Sequence, residues 1–179
     1  MTNRQQWTLI SGVVMTAVFG VALAVKLRPQ LSLIEVGSTA PDFNAVELPS
    51  GRPASIENYR GKVVLLNIWA TWCPPCKVEM PSMERLHRKL AGTDFQLVAV
   101  SVDEQDSSVV NKFVTDMGLT FQVLHNQDGT IRQIYQTTGV PESFVIDRDG
   151  VIVKKVIGAA DWDAPVNEHL ILRLLDAAR

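Results

Sequence analysis

The hydrophobic and polar positions of the chain change between strand-like and helix-like spacing after a long apolar start. Nearly unbroken apolar runs at Val63–Trp69 and Phe95–Val102 predict central strands that are buried on both faces. Apolar residues at helical spacing predict helices after Trp72, around Val109–Met117 and from Asp161 to Arg179. Strands that alternate with helices in this way predict an α/β sandwich around a mixed sheet.

Shorter segments complete the predicted sheet. Phe43–Leu48 and Pro53–Ile56 flank a glycine-containing turn and predict two short strands. Phe121–Leu124 predicts a further strand, and Arg148-Asp149-Gly150 predicts a hairpin between the last two strands, Ser143–Asp147 and Val151–Val156. For the closing helix we expect an inward face made of Val166, Leu170, Leu174 and Leu175.

Residues 1–30 differ from the rest of the chain. No charged residue occurs from Gln5 to Val25, and ~20 apolar residues in a helix match the ~30 Å hydrocarbon core of a membrane. The segment is apolar on all sides, which argues against a helix packed in a soluble core. Ala22-Leu23-Ala24 also fits a signal-peptidase site, so a cleaved signal is the alternative. We expect a membrane anchor over residues 1–30 and one domain over residues 31–179.

Composition limits the kinds of ligand that the domain could bind. The net charge is −2 and charged residues make up 20%, so nothing suggests a nucleic acid or an acidic ligand. The chain has two cysteines, Cys73 and Cys76, and a four-ligand zinc site would lack a second cysteine pair. The histidines show no ligand spacing, and we expect all of them at the surface: His87, His125 and His169.

The candidate chemistry is the Cys73-Pro74-Pro75-Cys76 motif, where the strand Val63–Trp69 gives way to a helix. At a helix N-terminus, unpaired N–H groups and the helix dipole stabilise a thiolate on Cys73. Cys76 lies one turn further and can form a disulfide with Cys73 or attack one formed on it. Because Pro74 and Pro75 lack an N–H, the N–H of Cys76 is the first donor for the Cys73 sulfur. The motif predicts thiol–disulfide exchange, with Cys73 as nucleophile, Cys76 as resolving thiol, and the Cys73–Cys76 disulfide in place of a cofactor or metal.

Three segments of the chain resemble a known family. Trp69–Cys76 resembles the active-site segment of thioredoxin-fold proteins, and Gly139–Phe144 resembles their loop with a cis-proline. Ala40–Phe43 is similar to the opening segment of the TlpA/ResA-like thiol–disulfide oxidoreductases, which are membrane-tethered and include reductants of cytochrome c maturation. The resemblance covers Gly37 to Arg179 and implies a thioredoxin-like fold, a mixed central sheet flanked by helices. It also implies an N-terminal strand extension, a helix–strand insertion at Ser107–Leu124 and an N-terminal transmembrane helix.

The surroundings of the cysteine pair suggest where a substrate would bind. The resemblance implies that Pro141 is in cis and faces the cysteines, and that Val140 presents backbone groups to an extended substrate. We expect Trp72 to shield the pair and to offer a flat contact surface, together with Pro74 and Pro75. The alternative for Trp72 is a partly exposed aromatic side chain at a helix start.

Glu79 follows Cys76 by one helical turn on the same face. In the TlpA/ResA-like branch, a glutamate at this place looks like an acid–base partner for the buried cysteine. Asn67 supports this role, because thioredoxin carries a buried aspartate at that strand position and the carboxylate is absent here. The alternative is a solvated helix glutamate. We expect Trp69 in the core beneath the site, and Glu142 to tune specificity.

These features predict an enzyme that exchanges thiols and disulfides on exported proteins, as a reductant of apocytochrome c before haem attachment. The resemblance implies protein thiols and disulfides as substrates, an upstream membrane electron donor, a monomer, and a catalytic domain on the periplasmic or equivalent face. The sequence leaves the direction of electron flow open, because it follows the redox potential. One alternative is a copper chaperone that uses both cysteines and His125. The other is a thiol peroxidase, but Ala70 stands where peroxiredoxins carry Thr or Ser.

Overall fold

The computed structural model describes residues 3–27 and 33–177 of the chain. Its contacts divide the chain into two compact units, one at the N-terminus and one that starts at Ile34. The first unit contains helix α1, Asn3–Leu27. The predicted anchor and the predicted start of the domain at residue 31 both include residues outside the described ranges. Across the residues that are described, no helix reaches the length and apolarity needed to cross a membrane.

Within residues 33–177, the second unit is one mixed sheet with helices packed against it. The strands are β1 Ala45–Glu47, β2 Pro53–Ala54, β3 Val63–Trp69, β4 Phe95–Ser101, β5 Gln122–His125, β6 Glu142–Ile146 and β7 Ile152–Ile157. The helices are α2 Pro74–Lys89, α3 Ser107–Asp116, α4 Thr130–Ile134 and α5 Pro165–Asp176. The strand order is β2-β1-β5-β4-β3-β6-β7. The chain thus forms the α/β sandwich that its sequence predicts.

Strand β3 lies inside the sheet, between β4 and β6, and positions the cysteine motif. It pairs in parallel with β4 and antiparallel with β6, and each of its residues is buried. Burial on both faces explains its unbroken apolar run. Because β3, β4 and β5 are parallel, their carboxyl ends meet at one edge, where Trp69 pairs with Ser101 and Ser101 pairs with His125. The turn that carries Cys73 follows directly at this edge.

Most predicted elements occur close to their expected places. The two short strands around the glycine-containing turn are present as β1 and β2, and the predicted hairpin is present as β6 and β7. The core beneath α2 is formed by its fully buried side chains Met80, Met83 and Leu86. Trp69 is also fully buried, with its ring 5.2 Å from that of Phe113, so its predicted role in the core is confirmed. Burial of each such side chain contributes about 1.5–3 kcal/mol to folding.

The predicted inward face of the closing helix is wrong at Val166. This side chain is 71% exposed, whereas Asn167 and Ile171 on the neighbouring face are buried. Asn167 donates to the carbonyl oxygen of Asp161 at 2.7 Å and accepts a hydrogen bond from Lys154 Nζ at 2.6 Å. These polar contacts hold the Asn167 face against the sheet, which a pattern of apolar residues does not reveal.

The expectation that all three histidines lie at the surface is wrong for His125. His169 is exposed and His87 is half-buried, but only 2% of His125 is exposed. His125 ends β5, which is covered by β1 on one side and β4 on the other. Its Nε2 donates to the carbonyl oxygen of Asp103 at 2.7 Å, because a carbonyl can only accept.

Candidate active site

The turn between β3 and α2 is fixed from both ends. At its start, Thr71 donates twice to the buried carboxylate of Asp103, from its backbone N at 2.9 Å and from Oγ1 at 2.6 Å. At its end, Cys73 has extended backbone angles and is the N-cap of α2. The N–H of Cys76 donates to the Cys73 sulfur at 3.2 Å, which confirms the predicted first donor. The Cys73 sulfur therefore lies at the N-terminal end of α2, which favours a negative charge.

Cys73 and Cys76 are joined by a disulfide, with their Cα atoms 5.3 Å apart. Cys73 is 2% exposed and Cys76 is fully buried, so any accessible surface of the pair belongs to Cys73. The Cys73 sulfur also lies 3.5 Å from the carbonyl oxygen of Val140. The two segments that sequence analysis selected, the cysteine motif and the loop around Pro141, are thus in direct contact.

The loop opposite the cysteines contains the predicted cis peptide bond, Val140–Pro141. Val140 is half-buried and Pro141 is buried. The carbonyl oxygen of Pro141 accepts from the N–H of Gly158 at 2.8 Å, which ties the loop to the end of β7. A second cis bond, Leu48–Pro49, lies in the turn between β1 and β2 and was not predicted from the sequence.

An apolar surface adjoins the disulfide on the α2 side. Trp72 is 60% exposed, and Pro74 and Pro75 are exposed in the first turn of the helix. Val78 extends this surface by one further turn. These side chains stand beside Cys73, where a protein that approaches the disulfide would meet them.

Glu79 is only 2% exposed, so the alternative of a solvated helix glutamate is wrong. Its carboxylate accepts from Asn67 Nδ2 at 2.8 Å, from the N–H of Ala160 at 3.2 Å and from Trp162 Nε1 at 3.3 Å. Burial raises the pKa of Glu79, and these three donors oppose the rise without cancelling it. A carboxyl group with a raised pKa, one helical turn from Cys76, is a candidate to exchange a proton with that thiol.

The two side-chain partners of the Glu79 carboxylate were not found by sequence reasoning. Asn67 was noted for the carboxylate that it lacks, but its hydrogen bonds to Glu79 and to Ser143 Oγ were not predicted. A single polar residue inside an apolar strand is a usable signal, because a buried amide needs hydrogen-bond partners. Trp162 left no signal, because it reaches Glu79 from a loop far along the chain.

Glu142 does not lie on the contact surface. Its side chain is fully buried, accepts from the N–H of Thr138 at 3.1 Å and pairs with Lys155 at 3.0 Å. Lys155 in turn donates to the carbonyl oxygen of Ile34 at 3.3 Å. Glu142 therefore supports the cis-proline loop from inside the domain, through its contacts with Thr138 and Lys155. In the described part of the chain, no group of three or more His, Cys, Asp and Glu side chains could hold a metal ion.

A disulfide at a helix N-terminus, facing a cis-proline loop at the edge of a mixed sheet, defines a thioredoxin-fold thiol–disulfide oxidoreductase. Comparison with known proteins agrees with this class. The model of the AhpC/TSA family matches residues 36–155. The chain belongs to this family and, within it, to the ResA-type thiol–disulfide oxidoreductases, which implies protein thiols and disulfides as substrates.

The relatives are similar over most of their length. The thiol-disulfide oxidoreductase ResA of Bacillus cereus is 33% identical over 156 residues, which cover 87% of this chain and 89% of the relative. ResA of Geobacillus thermodenitrificans is 35% identical over 154 residues, which cover 86% of this chain and 87% of the relative. A crystal structure described as thiol:disulfide interchange protein DsbE from Chlorobium tepidum superposes with a TM-score of 0.73 at 33% identity, covering 80% of this chain and 99% of that one.

Proposed function

We propose that the protein is a reductant that transfers electrons from its Cys73–Cys76 dithiol to disulfides of exported proteins, with apocytochrome c as the substrate. The observation that carries this proposal is the contact between the Cys73 sulfur and the cis-proline loop at Val140. It brings Cys73, the cysteine of the pair that keeps some accessible surface, next to a backbone carbonyl that an extended substrate can also reach. The names of the ResA relatives and the DsbE structure support a reaction of this type.

The exchange proceeds in two displacements that conserve electrons. The Cys73 thiolate attacks one sulfur of the substrate disulfide, forms a mixed disulfide and releases the other substrate sulfur as a thiolate. Cys76 then loses its proton and attacks the Cys73 sulfur, which forms the Cys73–Cys76 disulfide and releases the second substrate thiolate. Both substrate thiolates take up protons, so the substrate gains two electrons and the protein loses two. An upstream membrane dithiol donor restores the reduced pair by the same steps in reverse.

The residues around the pair divide this work between them. Trp72, Pro74 and Pro75 form the apolar surface on which the substrate rests, and Val140 offers its backbone as a strand-like partner. Pro141 fixes the direction of that loop. Glu79 takes the proton of Cys76 in the second displacement and returns one when the pair is reduced.

Apocytochrome c can be tested as the substrate with a short peptide. The reduced protein will reduce the disulfide of a Cys-x-x-Cys-His peptide with a higher kcat/KM than a peptide of equal spacing in which the histidine is replaced by alanine. Stopped-flow tryptophan fluorescence will follow the reaction, because Trp72 borders the cysteines. Equal kcat/KM values for the two peptides would contradict apocytochrome c as the preferred substrate.

We also propose that residues 1–30 anchor the protein in a membrane and that residues 31–179 form a monomeric catalytic domain on its outer face. The described side chains of α1 support an anchor, because Val13, Met15 and Phe19 are each more than half exposed. Large apolar side chains that are exposed along a helix indicate an apolar surrounding. The similarity to ResA supports the placement outside the cytoplasm.

Alkaline extraction will leave the full chain in the membrane pellet, because peripheral proteins are released by this treatment and spanning helices are not. A chain that begins at Ile34 will appear in the soluble fraction and will keep its disulfide exchange activity. Amino-terminal sequencing of the mature protein checks the alternative. A mature N-terminus at Val25 would show that the segment is a cleaved signal.

A further inference from the structure

Two of the three donors to the carboxylate of Glu79 come from a single segment, Ala160–Trp162, which follows β7. This segment is fastened to α2 by contacts that do not involve the Glu79 carboxylate. The N–H of Trp162 donates to Ser82 Oγ at 3.0 Å, and that hydroxyl donates to the carbonyl oxygen of Glu79 at 2.7 Å. Trp162 is fully buried. Its indole N–H is therefore held at the carboxylate whether or not the carboxylate is charged.

We propose that Trp162 is a positioning residue for the exchange reaction, because its indole N–H holds the carboxyl group of Glu79 and favours its ionised form. The proposal rests on the role of Glu79 proposed above. A hydrogen bond donated to a carboxylate stabilises the charged form, and inside a protein this effect is stronger than in water. Together with Asn67 and the N–H of Ala160, Trp162 thereby lowers the pH above which Glu79 can take the proton of Cys76.

The groups around Glu79 allow the effect of the Trp162 hydrogen bond on its ionisation to be separated from the effects of nearby charges. The partners on the sheet and the loop, Asn67 and Trp162, carry no charge. Two charged residues, Arg85 and Asp161, line an open cavity of about 450 Å³ that Glu79 also borders. Arg85 forms an ion pair with Asp163, and a hydrogen bond to Asp163 raises the pKa of Asp161. Asp161 is therefore the neighbour whose titration must be separated from that of Glu79.

Nuclear magnetic resonance of the full chain in detergent tests the proposal directly. In the oxidised protein, the indole N–H signal of Trp162 will shift with the same midpoint as the carboxyl carbon of Glu79, and it will not shift in Glu79→Gln. Trp162→Phe keeps an aromatic ring but removes the donor. It will raise the midpoint of the Glu79 titration by about one pH unit, the equivalent of one hydrogen bond to a charged group.

Two variants serve as controls for the effect of Trp162→Phe on the Glu79 midpoint. Trp69→Phe alters another fully buried tryptophan, whose Nε1 has no hydrogen-bond partner among the described residues, and will leave the Glu79 midpoint unchanged. Asp161→Asn removes the neighbouring acid and will also leave it unchanged. An unchanged midpoint in Trp162→Phe, or an equal rise in Trp69→Phe, would overturn the proposal. If Trp162→Phe does not fold, a flat Trp162 signal in the wild-type titration overturns it as well.

Kinetics of Glu79→Gln test the proposed acid–base role of Glu79 separately from the titration, which tests this inference. The titration measures only which groups determine the charge of Glu79. If Glu79→Gln resolves mixed disulfides at the wild-type rate, the acid–base role fails. The midpoints of the Trp162→Phe and Trp69→Phe titrations still decide whether Trp162 holds the charge of Glu79.

Discussion

Cys73→Ser will abolish disulfide reduction, whereas Cys76→Ser will stop the reaction at the mixed disulfide. Cys73 is the only one of the pair with accessible surface, and its sulfur lies at the N-terminus of α2, where a thiolate is stabilised. Without it no first displacement takes place. Without Cys76 the first displacement still occurs, but nothing releases the bound substrate. Mass spectrometry of the product will detect the substrate on Cys73 in Cys76→Ser and none in Cys73→Ser.

The order of the two cysteines has an independent check. In the reduced wild-type protein, alkylation at mildly acidic pH will label Cys73 before Cys76, because only a thiolate reacts. Preferential labelling of Cys76 would reverse the assignment. In cells, Cys76→Ser will capture substrates as mixed disulfides, and the double variant Cys73→Ser, Cys76→Ser is the control for non-specific capture. Apocytochrome c among the captured proteins would identify the physiological substrate.

Glu79→Gln will slow the resolving step by ~10²-fold, the usual effect of losing a general base, and will leave attack by Cys73 much less affected. Burial raises the pKa of Glu79, so the carboxyl stays protonated to a higher pH than an exposed glutamate. The wild-type rate of resolution will therefore rise with pH through this pKa, as the base form appears. The glutamine variant cannot take a proton and will lack this rise. Single-turnover kinetics of a preformed mixed disulfide between pH 5 and 9 will measure both curves.

The fold should accept this substitution. A glutamine side chain presents one oxygen and one NH₂ group where the carboxylate presents two acceptors. The oxygen can keep the donors Ala160 and Trp162, and the NH₂ group then faces Asn67. Asn67 Oδ1 is buried without a hydrogen-bond partner among the described residues, so a flip of this amide supplies the missing acceptor. A thermal melt close to that of the wild type will check that the kinetic effect is not one of stability.

Glu84→Gln is the matched control on the same helix. Glu84 is also buried, but it accepts hydrogen bonds from Thr120 and Arg88 and none from the Glu79 partners. The Glu84→Gln variant should therefore keep the wild-type pH dependence of the resolving step. If Glu79→Gln resolves mixed disulfides at the wild-type rate across the pH range, Glu79 serves only the structure of this region.

The parts of the fold that sequence patterns predicted are those whose cause is local. The buried strand Val63–Trp69, the N-cap position of Cys73 and the hairpin around Arg148-Asp149-Gly150 follow from apolar runs, caps and turn residues that are adjacent in the chain. The cis bond before Pro141 was predictable only through its resemblance to a known motif.

The features that sequence patterns did not predict depend on residues that are far apart in the chain. His125 is buried because β1, from a distant segment, pairs with the outer side of β5. Asn167 faces inward because it accepts a hydrogen bond from Lys154 and donates one to the carbonyl oxygen of Asp161, which are closer in the chain but belong to another strand and to a loop. The hydrogen bond from Trp162 to Glu79 joins a loop near the C-terminus to a helix that lies 83 residues earlier in the chain. Polar contacts of this kind carry no periodic signal, so only coordinates reveal them.

Helix α2 carries an exposed apolar surface on one side and core-packing side chains on the other. Trp72, Pro75 and Val78 lie on its exposed side and at its start, whereas Met80 and Met83 fill the core on the other. Exposed substitutions usually change the free energy of unfolding by no more than about 0.5 kcal/mol. If the exposed side contacts the substrate as proposed, substitutions there can change substrate choice while the redox pair and the core beneath it stay as they are.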